Sequence, residues 1–184
     1  GRQVWSGAEV SGGNGVSELL IRQTVPRAQL YWDRFDVDRG QTVRFDQQGN
    51  RNWVALNWIG DARPSVIAGR LLADGQVYLI NRNGIVFKPG AQVDASSFIS
   101  STLALQEDAF VRGLTALRDG RATFERSPGA SADARIEVQS GPVTTLAGRP
   151  VLGPDGQQLV EAARISSADG GRVFLFATRE VVNQ

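Results

Sequence analysis

The stretch Gly75-Gln76-Val77-Tyr78-Leu79-Ile80-Asn81-Arg82-Asn83-Gly84-Ile85-Val86-Phe87 decides how this chain folds. It contains two apolar runs of strand length, separated by four residues that favour a turn. Asn tolerates left-handed backbone angles and bonds to its own main chain, and Gly adopts positive φ at no steric cost. The stretch therefore predicts two strands joined by a tight corner.

The same pattern recurs along the chain. The run from Gly75 to Ile80 is echoed by Gly171 to Phe176, and more loosely by Gly40 to Phe45. Repeated strand-and-turn units are typical of solenoids, in which each unit buries its apolar face against the next one. We therefore predict an all-β solenoid, a parallel β-helix, with further strands at Trp53 to Leu56, Ile85 to Phe87, Arg135 to Val138 and Val173 to Phe176.

Three segments depart from this rhythm. The first coil of a β-helix needs a cap, and the segment from Gly7 to Gly15 leads into Leu19-Leu20-Ile21, which we predict to be a strand covering the exposed end. Apolar spacing from Leu103 to Leu117 predicts a short helix or turn. Ser127 to Asp133 reads as a loop within one domain that covers residues 1–184.

The composition excludes most enzyme chemistry. The chain has no Cys and no His, so the thiol nucleophile, the imidazole base and the usual zinc ligands are missing. Lys88 is the only lysine and lies outside any phosphate-binding pattern. A net charge of +1 gives no positive field for nucleic acid. We expect no catalytic residue, cofactor, metal, nucleic acid or small-molecule substrate.

Three further chemistries have candidate residues in this chain: glycoside cleavage, calcium binding and stacking on sugars. Asp33, Asp36, Asp38 and Asp46 are acidic residues of the kind that cleave glycosides in pairs, but Asp36 and Asp38 alternate with apolar neighbours as outward strand positions do. The same stretch lacks the closing Glu of a calcium loop. Four tryptophans are candidates for stacking on sugar rings, although core or cap packing is favoured: Trp5, Trp32, Trp53 and Trp58.

No run approaches the roughly 18 apolar residues of a membrane span. The chain begins with Gly1 and has neither an initiator Met nor a signal peptide, which indicates a processed or excised piece.

Several motifs resemble, in order, those of one protein family. They are Tyr31 to Val37, Val43 to Gln47, Val54 to Asn57, Pro64 to Gly69 and Gly75 to Phe87. This succession resembles the amino-terminal secretion domain of two-partner-secretion exoproteins, the filamentous haemagglutinin and haemolysin family of Gram-negative bacteria. The match extends from about Leu19 to Phe110 and returns from Gly171 to Asn183.

One family motif is altered here. The family's Asn-Pro-Asn-Gly stands as Asn81-Arg82-Asn83-Gly84, which keeps the turn-forming residues but loses the fixed φ of proline. A second family motif, Asn-Pro-Asn-Leu, has its counterpart in Asn50 to Trp53. The resemblance implies that Asn81, Arg82, Asn83, Gly84 and Asn57 form the secretion motif. From the sequence the turn has two open roles, direct contact with the transporter or formation of the corner alone.

The resemblance also implies a fold and a function. The fold is a right-handed parallel β-helix with an N-terminal cap and extra-helical β-strands. The domain would address a large adhesin-like exoprotein to its cognate outer-membrane β-barrel transporter, whose periplasmic recognition domains bind it as it emerges unfolded or partly folded. It would then nucleate folding at the surface of a Gram-negative bacterium, where the missing C-terminal region contacts host or matrix.

Two other functions remain open from the sequence. The first is a carbohydrate-binding or adhesive β-helical module, in which exposed Trp and Arg side chains meet glycans. The second is a β-helical enzyme that uses the carboxylates between Asp33 and Asp46 on a common groove.

Overall fold

The fold is described from a computed structural model that covers residues 4–12, 17–105, 124–126, 128–145 and 147–184. Within those ranges the chain forms strands and no helix. In chain order the strands are β1 (Val4–Ser6), β2 (Ala8–Ser11), β3 (Glu18–Gln23), β4 (Arg27–Trp32), β5 (Thr42–Asp46), β6 (Val54–Ile59), β7 (Ser65–Ile67), β8 (Arg70–Ala73), β9 (Gln76–Asn81), β10 (Ile85–Phe87), β11 (Gln92–Ala95), β12 (Ser97–Ser101), β13 (Ala104–Leu105), β14 (Phe124–Glu125), β15 (Ile136–Val138), β16 (Ser140–Pro142), β17 (Val160–Ala162), β18 (Arg164–Ser167), β19 (Val173–Phe176) and β20 (Val181–Asn183).

Most of these strands lie in three parallel sheets that form the faces of a coil. Sheet 1 contains β3, β5, β8, β11 and β18, sheet 2 contains β4, β6, β9, β12 and β19, and sheet 3 contains β7, β10, β15 and β20. The pairings among them are parallel. The chain visits the three sheets in turn, as in β8, β9 and β10, and each coil begins on sheet 1. Coil 1 begins at β3, coil 2 at β5, coil 3 at β8, coil 4 at β11 and coil 5 at β18. The predicted parallel β-helix is confirmed.

The coils stack so that equal positions pair from one coil to the next. Ala55 pairs with Ala28 on one side and Val77 on the other, and Val77 pairs with Phe98. All four side chains are buried inside the coil. Burying one large apolar side chain contributes about 1.5–3 kcal/mol, so each added coil extends a continuous apolar ladder.

Sheet 2 is also apolar on its outer face. Tyr78, Ile80 and Ile99 belong to a second buried cluster there, packed against Phe124 and Phe176. Part of the cover comes from the short antiparallel pair β13–β14. Because both faces of this sheet are buried along β9, that strand has the near-continuous apolar sequence of a strand covered on two sides.

The two close sequence echoes occupy the same sheet. The run from Gly75 to Ile80 forms β9, and the run from Gly171 to Phe176 forms β19, with β12 between them. A Cβ on Gly171 would lie 1.8 Å from the Ser96 carbonyl oxygen, so the close approach of two coils requires glycine there. The looser echo, Gly40 to Phe45, forms β5 on sheet 1, so it repeats the pattern on another face.

The N-terminal cap is present, but it is built from a different segment than predicted. Leu19-Leu20-Ile21 lies in β3, which pairs in parallel with β5 and is the first strand of sheet 1. The cap strands are β1 and β2, which pair antiparallel with β4 and β3. Trp5 of β1 packs 5.9 Å from Trp32. The prediction failed because the apolar β3 has the pattern of any inward strand.

The extra-helical strands are two antiparallel pairs, β13–β14 and β16–β17. The pair β13–β14 lies between β12 and β15 of coil 4. The pair β16–β17 lies between β15 and β18, where the chain returns to sheet 1. The predicted loop is observed over Pro128 to Asp133, since these residues form turns before β15. The short helix or turn expected from Leu103 to Leu117 is not formed at Ala104–Leu105, which is a strand, and residues 106–117 lie outside the described residues.

Candidate functional site

The corner between β9 and β10 is formed by the residues expected there. The Asn83 N–H donates to Asn81 Oδ1 at 2.9 Å, and the Gly84 N–H donates to the Asn81 carbonyl at 3.1 Å. The first bond closes an Asx turn, which is the local reason that Asn starts the corner. Gly84 then turns the chain into β10 with a φ of 119°.

Asn81 ties this corner to the preceding coil. Its side chain is fully buried, and its Nδ2 donates to the Arg63 carbonyl at 3.1 Å and to Ser65 Oγ at 3.0 Å. Both acceptors lie at the matching corner of coil 2, just before and at the start of β7. The Asn81 amide therefore accepts through its oxygen within its own turn and donates through its nitrogen to the preceding coil.

Asn83 and Gly84 add further ties. Asn83 Nδ2 donates to the Asp61 carbonyl at 2.6 Å, and the Ser65 N–H donates to the Gly84 carbonyl at 3.0 Å. A Cβ on Gly84 would lie 3.0 Å from the Arg135 carbonyl oxygen of coil 4. The glycine is thus required both by its positive φ and by the close approach of the neighbouring coil. This corner joins coils 2, 3 and 4.

Arg82 is the exposed member of the corner. Its Nη1 donates to the Pro128 carbonyl at 3.3 Å. It forms no ion pair with another residue in the described ranges, whereas the arginines at the corresponding corners of the other coils pair with carboxylates: Arg34 with Asp36, Arg63 with Asp61, Arg135 with Glu137, and Arg179 with Asp133. Arg82 therefore differs from the other corner arginines in lacking a carboxylate partner among the described residues, although all five side chains are exposed.

Asn57 lies apart from the corner, inside the coil on β6. It is fully buried between Leu30 and Leu79 of the neighbouring strands. Its Oδ1 accepts a hydrogen bond from Trp32 Nε1 at 3.0 Å, and its Nδ2 donates to the Tyr78 carbonyl at 3.2 Å. Asn57 therefore links coils 1, 2 and 3 through the core, and the structure does not bring it together with the Asn81–Gly84 turn.

The second Asn-Arg-Asn unit also forms a corner. The Trp53 N–H donates to the Asn50 carbonyl at 3.2 Å, and Asn50 Nδ2 donates to the Gln47 carbonyl at 3.1 Å. The predicted turn between β5 and β6 is confirmed. Arg51 Nη2 reaches the Asp169 carbonyl at 2.6 Å, so this corner contacts the turn before β19.

A buried glutamine at this second corner was missed from the sequence. Gln47 is fully buried, its Nε2 donates to Gln23 Oε1 at 3.0 Å, and its Oε1 accepts from the Gly75 N–H at 2.6 Å. The Gln47 side chain therefore bridges three coils, whereas the Asn81 side chain joins two. Gln is mostly exposed in proteins, so composition gives no signal for such a residue. The glycine of the repeated pattern, Gly75, was the available hint of close stacking.

The acidic residues from Asp33 to Asp46 serve the backbone and the arginines. Asp36 Oδ1 accepts from the Val66 N–H at 2.8 Å, and Asp38 Oδ1 accepts from the Arg39 N–H at 2.7 Å. The Gln48 N–H, with help from Arg22, lowers the pKa of Asp46 despite partial burial. These contacts account for the side chains as turn and corner residues. No cluster that could hold a metal ion occurs in the described part of the chain.

Asp61 shows the electrostatics of the corner. Burial by itself raises the pKa of the Asp61 carboxyl. Hydrogen bonds from the Arg63 N–H and side chain, together with the charges of Arg63 and Arg34, lower the pKa by more than burial raises it, so the pKa lies below its ordinary value. The carboxylate is ionised at neutral pH and holds the guanidinium of Arg63 at 3.2 Å. Among the described residues no helix is long and apolar enough to cross a membrane.

These features define a class of protein. It is a capped parallel β-helix whose corners are tied from coil to coil by buried amides, and its acidic side chains are used in structural contacts. The chain belongs to the family of TPS (two-partner-secretion) secretion domains, whose model matches residues 6–172. The family predicted from the motifs is confirmed.

The relatives carry a common name. A heme/hemopexin-binding protein of Haemophilus influenzae is 25% identical over 162 residues, which cover 86% of this chain and 17% of that protein. A second heme/hemopexin-binding protein of Haemophilus influenzae is 34% identical over 89 residues, 48% of this chain and 10% of the relative. The chain thus spans less than a fifth of the length of these relatives.

A solved structure supports the architecture. The HMW1 secretion domain from Haemophilus influenzae matches 100% of this chain and 57% of its own, with a TM-score of 0.61 and 19% sequence identity. At that identity the likeness concerns the fold. It agrees with the all-β coil of parallel sheets described above.

Proposed function

We propose that this chain is a single secretion domain that targets a much larger, adhesin-like exoprotein to its cognate outer-membrane β-barrel transporter. The observation that carries the proposal is the family match over residues 6–172. The short share of the relatives that the chain spans supports a larger parent protein. The domain acts by being recognised and by folding, and it catalyses no reaction.

Recognition takes place before the domain folds. In the folded coil both edges of β9 are paired, with β6 and with β12, and the amide of Asn81 is fully used. Neither is offered to a partner in that state. An extended chain, in contrast, presents alternating side chains and free backbone groups that the transporter's periplasmic recognition domains bind by strand addition.

Folding follows passage through the transporter. Each coil that stacks on the previous one buries apolar side chains, as Val77 and Phe98 do, and so opposes backsliding without nucleotide hydrolysis. Asn57, Asn81, Asn83 and Gly84 act at this stage by closing the corners and core ties of coils 2 and 3. Arg82, which donates to one backbone carbonyl and forms no ion pair in the described part of the fold, is the member of the motif that contacts the transporter while the chain is still extended.

The route implies a location. The domain passes from the periplasm to the outside of a Gram-negative bacterium, where the exoprotein is released or stays at the surface as a virulence factor. Its remaining length binds a host or matrix component, and the name of the relatives makes haem or hemopexin one candidate for that component.

A binding experiment tests the recognition step. The periplasmic recognition domains of the transporter are immobilised, and the secretion domain is injected either folded or freshly diluted from urea. We expect the unfolded chain to bind and the folded domain to bind much more weakly. Equal binding of the folded domain would contradict recognition before folding.

A variant pair separates contact from turn formation. Arg82→Glu changes the exposed guanidinium and leaves the amide ties of the corner, whereas Asn83→Ala removes the bond to the Asp61 carbonyl. We expect Arg82→Glu to lower binding with an unchanged urea midpoint, and Asn83→Ala to lower the midpoint. Arg82→Glu with wild-type binding would remove the contact role.

A further inference from the structure

A groove lies on the outer face of sheet 2, where β4, β6 and β9 run side by side. Its volume is about 460 Å³. Residues from three coils and from the loop before β15 line it, chiefly Tyr31, Asp33, Trp58, Ile80, Arg82 and Pro128. Of these lining residues, Arg82 also belongs to the corner described above, where it donates to the Pro128 carbonyl.

The floor of the groove is an aromatic and apolar row. Tyr31 pairs with Trp58, and Trp58 pairs with Ile80, so the three side chains point outward at equal positions of neighbouring strands. With a strand spacing of about 4.8 Å the row is about 10 Å long, but Ile80 at one end of it is only 2% exposed, so Tyr31 and Trp58 are the two rings that a ligand can reach. Tyr31 is 46% exposed, which is high for a large ring on a sheet face.

The rim of the groove carries opposite charges. Asp33 and Arg82 are both exposed there. One N–H of Arg82 is used by the Pro128 carbonyl and the guanidinium has further donors, while the Asp33 carboxylate, which already interacts within the protein, has more than one acceptor position. Because the charges oppose each other, the site suits an uncharged ligand that has apolar faces and many hydroxyl donors and acceptors. A hexopyranose has this chemistry.

The groove exists only in the folded domain. Its lining residues extend from Tyr31 to Pro128 in sequence and meet only when coils 1 to 4 have stacked. On the export route proposed above, folding occurs outside the cell, so the ligand is one that is met there. This step rests on the proposed function, whereas the geometry of the groove does not.

We propose that this groove binds one or two neutral hexose rings of a cell-surface polysaccharide. The Tyr31 and Trp58 rings stack on the C–H faces of the sugar, while Asp33 accepts hydrogen bonds from its hydroxyls and Arg82 donates to them. The family and the solved structure are named for secretion, and the relatives are named for haem and hemopexin. Sugar binding would therefore be a second activity of the folded domain.

The test uses the purified folded domain and three probes, cellotriose, maltotriose and chitotriose. Calorimetry and tryptophan fluorescence are expected to give a Kd on the order of 1 mM for at least one probe. Tyr31→Ala should weaken binding about tenfold with little change in the urea midpoint, because this ring is largely exposed. Trp58→Phe should reduce the fluorescence change, while Trp53→Phe, outside the groove, should not.

Two results would overturn the proposal. One is a Kd weaker than about 10 mM for all three probes. The other is binding of the sugars that is equal in the wild type and in folded Tyr31→Ala. Export of Tyr31→Ala, measured in parallel, is expected to match the wild type, so failure of sugar binding is distinguishable from failure of the secretion function.

Discussion

At the scale of single residues, Asn81 is the side chain on which the corner depends most. Asn81→Ala removes two donated bonds and one accepted bond from a fully buried site and leaves the Arg63 carbonyl and Ser65 Oγ without their partner. We expect a loss of about 2–4 kcal/mol in the free energy of unfolding, measured in urea. Arg82→Ala, an exposed neighbour, should stay within about 0.5 kcal/mol. Equal stabilities of the two variants would refute this role.

A second prediction at this scale concerns pH. Asp46 accepts from the Gln48 N–H at 3.0 Å and from Arg22 Nε at 3.1 Å, and its pKa in the fold lies below 3.8. Since the folded pKa is lowered, this contribution to stability is present above the unfolded pKa and is lost as pH falls through the folded value. Urea unfolding between pH 5 and pH 2 should therefore weaken less in Asp46→Asn than in the wild type. An identical pH dependence would show that Asp46 contributes nothing.

The sequence predicts the residues of the corner but not their partners. Asn81, Asn83 and Gly84 are recognisable because the turn is local and needs Asn and Gly. That Asn81 is buried against Ser65 of the previous coil follows only from the register of stacked strands, which no local pattern records. The same holds for Gln47, whose burial depends on coils that lie before and after it in the chain.

At the scale of elements, the buried side chains of β9 determine which substitutions the core accepts. Leu79 is fully buried and pairs with Asn57 and Ser100 of the neighbouring strands. Leu79→Asp places a carboxylate inside the coil, and we expect it to cost about 3–5 kcal/mol and to lower secretion in parallel. Gln92→Asp, at an exposed position of β11, is the matched control. Secretion that is unchanged in an unfolded Leu79→Asp domain would break the link between folding and export.

The cap strands protect the first coil. β1 and β2 pair with β4 and β3, so removing residues 1–12 exposes two sheet edges at once. We expect the truncated domain to self-associate at micromolar concentration, measured by light scattering after gel filtration. Removal of residues 1–3, which contains no described strand, should leave a monomer. A monomeric, stable truncation at residue 12 would show that the first coil needs no cap.

The strands of the coil were predictable, and the cap was not. Runs such as Val77 to Ile80 and Val173 to Phe176 have the length and apolar content of buried strands, so they are recognised one by one. Whether a strand lies in the coil or covers its end depends on its pairing partner. The antiparallel β2 and the parallel β3 differ in pairing, while their residue types do not distinguish them.

At the scale of the whole molecule, we propose that the stacking of successive coils drives export in one direction. Coil 3 rests on coil 2 through Asn81 and Val77, and coil 4 rests on coil 3 through Phe98. Folding can therefore advance one coil at a time, since each coil contacts mainly its neighbours. A chain that folds in this way outside the membrane has a free-energy gradient along its length.

Export of this domain is the measurement that tests the account most directly. The domain is expressed behind a signal peptide, with and without a candidate partner transporter, and the amount outside the cell is determined. The account predicts export that requires the transporter and falls in Asn83→Ala. Retention in the periplasm that is the same with and without the transporter would contradict it and would favour a binding module instead.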